Sequence, residues 1–213
     1  TGIEQVESVL VLAPDAVEPA QREILFIRQP NERLATWEGH SLSKDEARSV
    51  SGVATIRWLT DLPAVLRGLM VSSEQVFLNS NEHERASLEV EQRDVRMARQ
   101  LIAQYPLHRF ERLAPILRRL RAAKDPAEVE LIRHAVAITR RGFDRAVASL
   151  RPGVMEYELE AEFIGEFTRN QAIFGYEPIV AGGKNACTLH YLNNDQPCQD
   201  GDLVLCDIGA SYA

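Results

Sequence analysis

The sequence lacks the short motifs of several common enzyme classes. No H-E-x-x-H, G-x-S-x-G or G-x-G-x-x-G pattern occurs anywhere in the chain. Gly182-Gly183-Lys184 is not a phosphate-binding P-loop, because both the upstream glycine and the downstream Ser or Thr are missing. Local motifs therefore assign neither a nucleotide site nor a Ser-type or zincin-type hydrolase centre.

Long apolar runs and an excess of positive charge are also missing. No run approaches the roughly 18 apolar residues that cross a bilayer, so we predict no transmembrane helix and no membrane partner. The net charge of −7 argues against a nucleic-acid-binding surface, which usually has a basic face. Lys and Arg do cluster between Arg118 and Lys124, a pattern more typical of a solvated helix face than of a phosphate site.

Cysteine is scarce, with only Cys187, Cys198 and Cys206 in 213 residues. The absence of a C-x-x-C pair argues against a zinc ribbon or a thioredoxin-like site. An odd number of widely spaced cysteines is typical of reduced thiols, which predicts a cytoplasmic protein. The remaining composition, 45% hydrophobic and 26% charged, is that of an ordinary globular protein with one large or two smaller domains.

Two kinds of hydrophobic pattern divide the chain near residue 121. Before it, short apolar runs alternate with helical stripes, and Ser43 to Glu46 forms a capping box; this predicts an α/β domain. After it, a second capping box at Asp125 to Glu128 opens the first of two helices, which strand-like segments follow, as in an α+β domain. The predicted strands are 9–12, 24–27, 53–56, 76–78, 176–181, 188–192 and 203–208, and the predicted helices are 43–52, 61–70, 90–103, 125–150 and 155–170.

Two residues of the second half are candidates for chemistry. Asp207 interrupts an apolar run, 203–209, that predicts a fully buried strand. A buried carboxylate is costly unless it is paired, hydrogen-bonded or metal-bound. Taken alone, Asp207 is more simply a salt-bridged or solvent-reaching residue at a strand end. His190 lies in a predicted strand after the Gly182–Asn185 turn, and a lone strand histidine is more often structural than catalytic.

Four segments, 120–135, 151–160, 176–191 and 201–210, follow one another in this order along the chain. Together they resemble the aminopeptidase P and prolidase group of the pita-bread metallopeptidases. The resemblance covers nearly the whole chain, since residues 29–39 are also similar to a Trp-bearing loop of that family's N-terminal domain. Thr1-Gly2 resembles an internal motif of that domain, so we expect its start to be missing. The resemblance implies a creatinase/prolidase-type N-terminal domain at 1–121 and the first part of a pita-bread domain at 122–213.

The resemblance also implies an activity. It is that of a metal-dependent Xaa-Pro aminopeptidase, which removes the residue before a proline with a hydroxide activated by two divalent ions, expected to be Mn²⁺. Asp207 corresponds to a metal ligand, His190 to a catalytic and substrate-binding residue, and Tyr176 to a residue lining the substrate cleft. Trp37 corresponds to a substrate-site residue that reaches a neighbouring subunit, which implies a homo-oligomer, a dimer or a tetramer. The other ligands would lie beyond residue 213, so we expect these residues alone to be inactive.

Two alternatives remain at this point. A prolidase, which cleaves Xaa-Pro dipeptides, shares most of these motifs. A non-catalytic pita-bread protein that binds peptides or other partners would share the fold without the metal pair. The residues that follow position 213 would separate the enzymes from the binding protein.

Overall fold

A computed structural model describes residues 2–31, 37, 39–83 and 90–212. The chain divides into two compact units, Thr1–Arg119 and Leu120–Ala213. Each unit has its own sheets and its own hydrophobic clusters. Across the described ranges, no helix is long and apolar enough to span a membrane.

The larger sheet of the first unit has three strands. Its central strand is β2 (Glu23–Ile27), with β1 (Val9–Leu12) on one side and β3 (Thr55–Trp58) on the other. Strand β1 is antiparallel to β2, and β3 is parallel to β2. Residues 24–27 of the central strand are all buried, and two of them, Leu25 and Ile27, pack in a core cluster with Ala47 and Val53. The third strand begins two residues later than predicted, because Val53 packs into the core before pairing begins.

The remaining elements of the first unit are helices and one parallel strand pair, β4 with β5. The predicted capping box is confirmed: Ser43 Oγ accepts from the Glu46 amide, and Glu46 Oε2 accepts from the Ser43 amide at 2.8 Å. Strand β5 was not predicted, since its sequence is short and charged. The elements are Lys44–Ser51 (α1), Leu62–Ser72 (α2), Gln75–Leu78 (β4), Arg93–Gln104 (α3), Arg109–Arg112 (β5) and Ala114–Ala122 (α4), with short 3₁₀ turns at Pro19–Gln21 and Leu59–Asp61.

Two long helices, Pro126–Ser149 (α5) and Glu156–Arg169 (α6), form the helical layer of the second unit, as predicted. The buried face of α5 differs from the predicted stripe. The apolar spacing of the sequence predicts a buried stripe that includes Val136, Phe143 and Val147, but these three are about half exposed. The face that packs against Phe163 and Phe167 is instead that of Ile138, Gly142 and Ala146. Small side chains on this face let the backbone of α5 approach the two rings closely.

Four strands complete the second unit as two antiparallel pairs, β6 with β9 and β7 with β8. The predicted strand 188–192 is wrong. Gly183, with φ of 53°, turns the chain out of β7 into a 3₁₀ helix, and residues 188–195 then form an irregular loop. The elements are Ile173–Phe174 (β6), Ile179–Gly182 (β7), the 3₁₀ helix Gly183–Cys187, Val204–Asp207 (β8) and Ala210–Ser211 (β9).

Candidate active site

Asp207 ends β8 on the accessible face of the β7–β8 pair. Burial alternates along the strand: Val204 and Cys206 pack into the core, while Leu205 is 42% exposed and Asp207 is exposed. The prediction of a fully buried strand is therefore wrong, because the described residues cover only one of its faces. The carboxylate of Asp207 is consequently accessible to a partner group or an ion.

The side chain of Tyr176 meets Asp207. The tyrosine follows β6, and its hydroxyl donates a hydrogen bond to Asp207 Oδ1 at 2.8 Å. Gly209 leaves room for the ring, since a Cβ there would lie 3.2 Å from Tyr176 Cε1. Partial burial, and then the adjacent Asp207 carboxylate, raise the pKa of Tyr176, so the hydroxyl stays protonated as a donor at neutral pH. The structure thus brings two predicted site residues together.

The other two predicted site residues, His190 and Trp37, take no part in this hydrogen bond. His190 occupies an exposed turn of the 188–195 loop, and over the described ranges no hydrogen bond or ion pair involves its ring. Its predicted position in a strand is incorrect. Trp37 belongs to the first unit and is 86% exposed. Residues 32–36 and 38 of the predicted Trp-bearing loop lie outside the described residues.

A buried carboxylate, Glu156, organises the loop that carries His190. It is the first residue of α6 and is fully buried. Oε1 accepts hydrogen bonds from the Gly182 amide at 2.7 Å and from Asn185 Nδ2 at 3.1 Å. Oε2 accepts from the Tyr191 hydroxyl at 2.7 Å and from the Gln196 amide at 3.1 Å. Both oxygens are therefore satisfied, as burial of a charge requires.

Burial and hydrogen bonding in this cluster determine the ionisation states of Glu156 and Tyr191. Burial by itself raises the pKa of Glu156, but the hydrogen bonds from Gly182, Tyr191, Asn185 and Gln196 outweigh it and hold that pKa below its ordinary value. Burial and the Glu156 carboxylate raise the pKa of Tyr191 to about 12. At neutral pH, Glu156 is thus an ionised acceptor and Tyr191 a protonated donor.

Asn194 makes a second attachment of the same loop. It is 5% exposed and has a positive φ of 46°. Its Oδ1 accepts from the Val180 amide at 3.3 Å, and its Nδ2 donates to Glu160 Oε2 at 2.7 Å. Glu160 lies one helical turn after Glu156, so two carboxylates of α6 hold the loop.

The sequence alone did not single out Glu156. It occurs in the recognised 151–160 segment, but acidic residues are common in the first turn of any helix. Glu158, two positions later, makes such a local contact, accepting from the Met155 amide at 2.9 Å. Nothing in the local pattern separates the buried glutamate from the capping one.

Comparison with known proteins assigns both units. Residues 130–213 match metallopeptidase family M24, and residues 1–77 match the aminopeptidase P N-terminal domain. Residues 130–213 are therefore assigned to metallopeptidase family M24. The expected fold, an N-terminal domain of this type followed by the start of a pita-bread M24 domain, is confirmed.

Curated relatives are similar along the whole chain. The Xaa-Pro aminopeptidase of Haemophilus influenzae is 32% identical over 100% of this chain and 47% of its own length. That of Escherichia coli is 31% identical over 100% of this chain and 48% of its own. The chain thus spans about half the length of these curated relatives.

Solved structures of family M24 agree with this assignment. Aminopeptidase PepP of Pseudomonas aeruginosa superposes with a TM-score of 0.82 at 31% identity, covering 100% of this chain and 48% of that one. An Escherichia coli aminopeptidase P variant in complex with substrate gives a TM-score of 0.73 at 30% identity, covering 89% of this chain and 44% of that one.

The M24 family implies divalent metal ions, and Asp207 suits one such ion. Its exposed carboxylate is a hard oxygen donor of the kind that Mn²⁺ and Mg²⁺ accept. Across the described residues, however, no group of three His, Cys, Asp or Glu side chains is placed to hold a metal. Asp207 is therefore a candidate ligand, and the described residues do not form a complete metal site around it.

Proposed function

We propose that this chain is part of a metal-dependent Xaa-Pro aminopeptidase, which releases the N-terminal residue from peptides that have proline in second position. The observation that carries the proposal is the Tyr176–Asp207 hydrogen bond on the accessible face of β8. It joins a hard ligand and an aromatic hydroxyl within the part of the chain that matches family M24. The names of the similar full-length proteins support the same activity.

Each site residue has a role that its position supports. Asp207 would hold a metal ion, and Tyr176 positions the carboxylate by donating a hydrogen bond to one of its oxygens, which leaves the other oxygen available as a ligand. When bound, the ions polarise the peptide carbonyl and activate a water. His190, exposed on its loop, contacts the peptide beside the scissile bond and carries a proton there. A bond to proline has no N–H to donate, so selectivity depends on the shape around the ring, part of which Tyr176 provides.

Further details of the proposal concern the complete protein. We place the domain boundary between residues 121 and 122, close to the division into compact units. Two Mn²⁺ ions are the expected cofactor, because carboxylate donors suit that ion. The 86% exposure of Trp37 supports a contact with another subunit, in a dimer or tetramer. Three free cysteines support a cytoplasmic location.

The test compares peptide substrates with the complete protein and Mn²⁺. Release of the first residue from Xaa-Pro-Xaa tripeptides in preference to Xaa-Pro dipeptides is the expected result. A preference for dipeptides would indicate a prolidase instead. No turnover of either peptide would refute both enzymatic readings and favour a peptide-binding protein.

Variants at the Tyr176–Asp207 pair test the roles in the same assay. Asp207→Asn should lower kcat/KM at least about 100-fold, since even groups one shell beyond a metal's ligands cost about 10- to 100-fold. Tyr176→Phe should cost about 10-fold for the same reason. Asp200→Asn is the matched control, because Asp200 is an exposed residue of the preceding turn. Equal activity of Asp207→Asn and Asp200→Asn would exclude the proposed ligand.

A further inference from the structure

We propose that Glu156 is a positioning residue for His190: its buried carboxylate fixes the His190 loop, defined as residues 183–196, and thereby determines where the imidazole stands. The inference rests on the proposed function, because it concerns the peptidase role of His190. Glu156 itself is buried and reaches the reaction only through the loop.

The first argument is that the loop is closed on one carboxylate. The Gly182 amide, which immediately precedes the loop, and the Gln196 amide at its end bond to the two oxygens of Glu156. Tyr191, the neighbour of His190, bonds to the same group at 2.7 Å. Because both ends and the middle of the loop share one acceptor group, a displacement of that group moves the backbone on which His190 is carried.

The second argument is that the surrounding chain is shaped to admit the carboxylate. A Cβ on Gly182 would lie 3.5 Å from Glu156 Oε1 and 3.0 Å from Cys198 Sγ. A larger residue would therefore push against the space in which Oε1 meets the Gly182 amide. The glycine permits this close approach of strand and carboxylate.

The third argument is the independent attachment made by Asn194. Its bonds to the Val180 amide and to Glu160 tie the loop to β7 and α6 on the far side of His190 from Asn185. His190 thus sits on a short exposed span between anchored residues, Asn185 on one side and Tyr191 and Asn194 on the other. An exposed side chain on an anchored backbone is the arrangement expected of a residue that must meet a substrate in a defined position.

The substitution Glu156→Gln removes the negative charge and one acceptor oxygen but leaves the volume of the side chain almost unchanged. The amide has nearly the same size, but one of its two terminal groups becomes an N–H donor. Two of the four donors that face Glu156 then lose their acceptor, so the loop loosens without a cavity. Glu162→Gln is the matched control, because Glu162 lies on the same helix, pairs with Arg145 at 2.8 Å and does not bond to the loop.

A double-mutant cycle on kcat/KM for an Xaa-Pro-Xaa tripeptide tests the inference in the complete protein. Glu156→Gln should lose about 10- to 100-fold, mainly in kcat, because small displacements of a reacting group carry costs of that size. In a His190→Ala background the same change should cost less than about twofold, since the group that it positions is gone. Glu162→Gln should match the wild type. A full, independent loss in the His190→Ala background would overturn the inference.

Hydrogen exchange gives a readout that does not depend on activity. Peptides covering 183–196 should exchange faster in Glu156→Gln than in the wild type, while far-UV circular dichroism remains the same. Unchanged exchange would refute the attachment itself. If Glu156→Gln does not fold, Tyr191→Phe removes one of the four donors to Glu156, and its few-fold loss of activity must likewise vanish in the His190→Ala background. A wild type that cleaves neither peptide would refute the proposed function and the catalytic role of the loop, whereas the exchange result would still stand.

Discussion

Substituting Gly142 with alanine should destabilise the helix pair α5–α6, although alanine is the better helix former. A Cβ at this position would lie 2.9 Å from Phe163 Cδ1 and 3.3 Å from Phe167 Cε1. Both rings are buried, at 0% and 1% exposure. Phe163 also makes edge contacts with Phe143 and Phe167, at centroid distances of 6.3 and 6.2 Å. A shift of the Phe163 ring away from the new methyl group would therefore disturb these contacts.

The magnitude follows from two opposing terms. Overpacking a filled core costs about 1–3 kcal/mol, and contact with two immobile rings places this site in the upper part of that range. Replacing glycine by alanine within a helix stabilises the helix by about 1 kcal/mol. The free energy of unfolding should therefore fall by about 1–2 kcal/mol in Gly142→Ala.

Chemical denaturation followed by far-UV circular dichroism measures this change. Tryptophan fluorescence does not report on these helices, because Trp37 and Trp58 both belong to the first unit. Gly165→Ala in α6 is the matched control, since its Cβ would meet only the flexible end of Arg169, at 3.1 Å from Nη1. The control should gain up to about 1 kcal/mol. A Gly142→Ala variant as stable as the wild type would refute the packing argument.

Two further predictions concern ionisable groups. The folded-state pKa of Glu156 is held below the ordinary value of 4.5, so its contribution to stability is complete above about pH 4.5 and is lost as the pH falls through the folded-state value. Acid titration of the free energy of unfolding should consequently be steeper for the wild type than for Glu156→Gln; parallel curves would contradict this. Burial, and then Cys198, raise the pKa of Cys206 to about 11, so at about pH 8 only about 0.1% of that thiol is ionised. Mass spectrometry after limited alkylation should find exposed Cys187 labelled well before Cys206, and equal labelling would exclude the proposed burial.

Local sequence patterns predicted the helix starts well. The capping boxes at Ser43 and Asp125 each involve atoms only three residues apart, so the residues themselves contain the whole interaction. The central strand β2 was also evident, because all its inward positions are large and apolar. The resemblance of ordered segments placed the chain in its family, and the comparisons confirm that assignment.

Faces and contacts across the fold were less predictable. The apolar stripe of α5 indicated Val136 and Val147 as core, but the structure buries the face with Gly142, because that is the face that packs against the rings of α6. In β8, the apolar composition predicted two buried faces, whereas only one is covered by the described residues.

The sequence by itself determined the local elements and the family, since these depend on neighbouring residues or on ordered motifs. Only the tertiary structure revealed the role of Glu156. Its four donors come from residues 26 to 40 positions later in the chain, and no local pattern contains such contacts. Folding brings these distant donors to one carboxylate because a buried charge must be satisfied on every oxygen. The hydrogen bond between Tyr176 and the exposed Asp207 likewise joins residues 31 positions apart, so no local pattern contains it either.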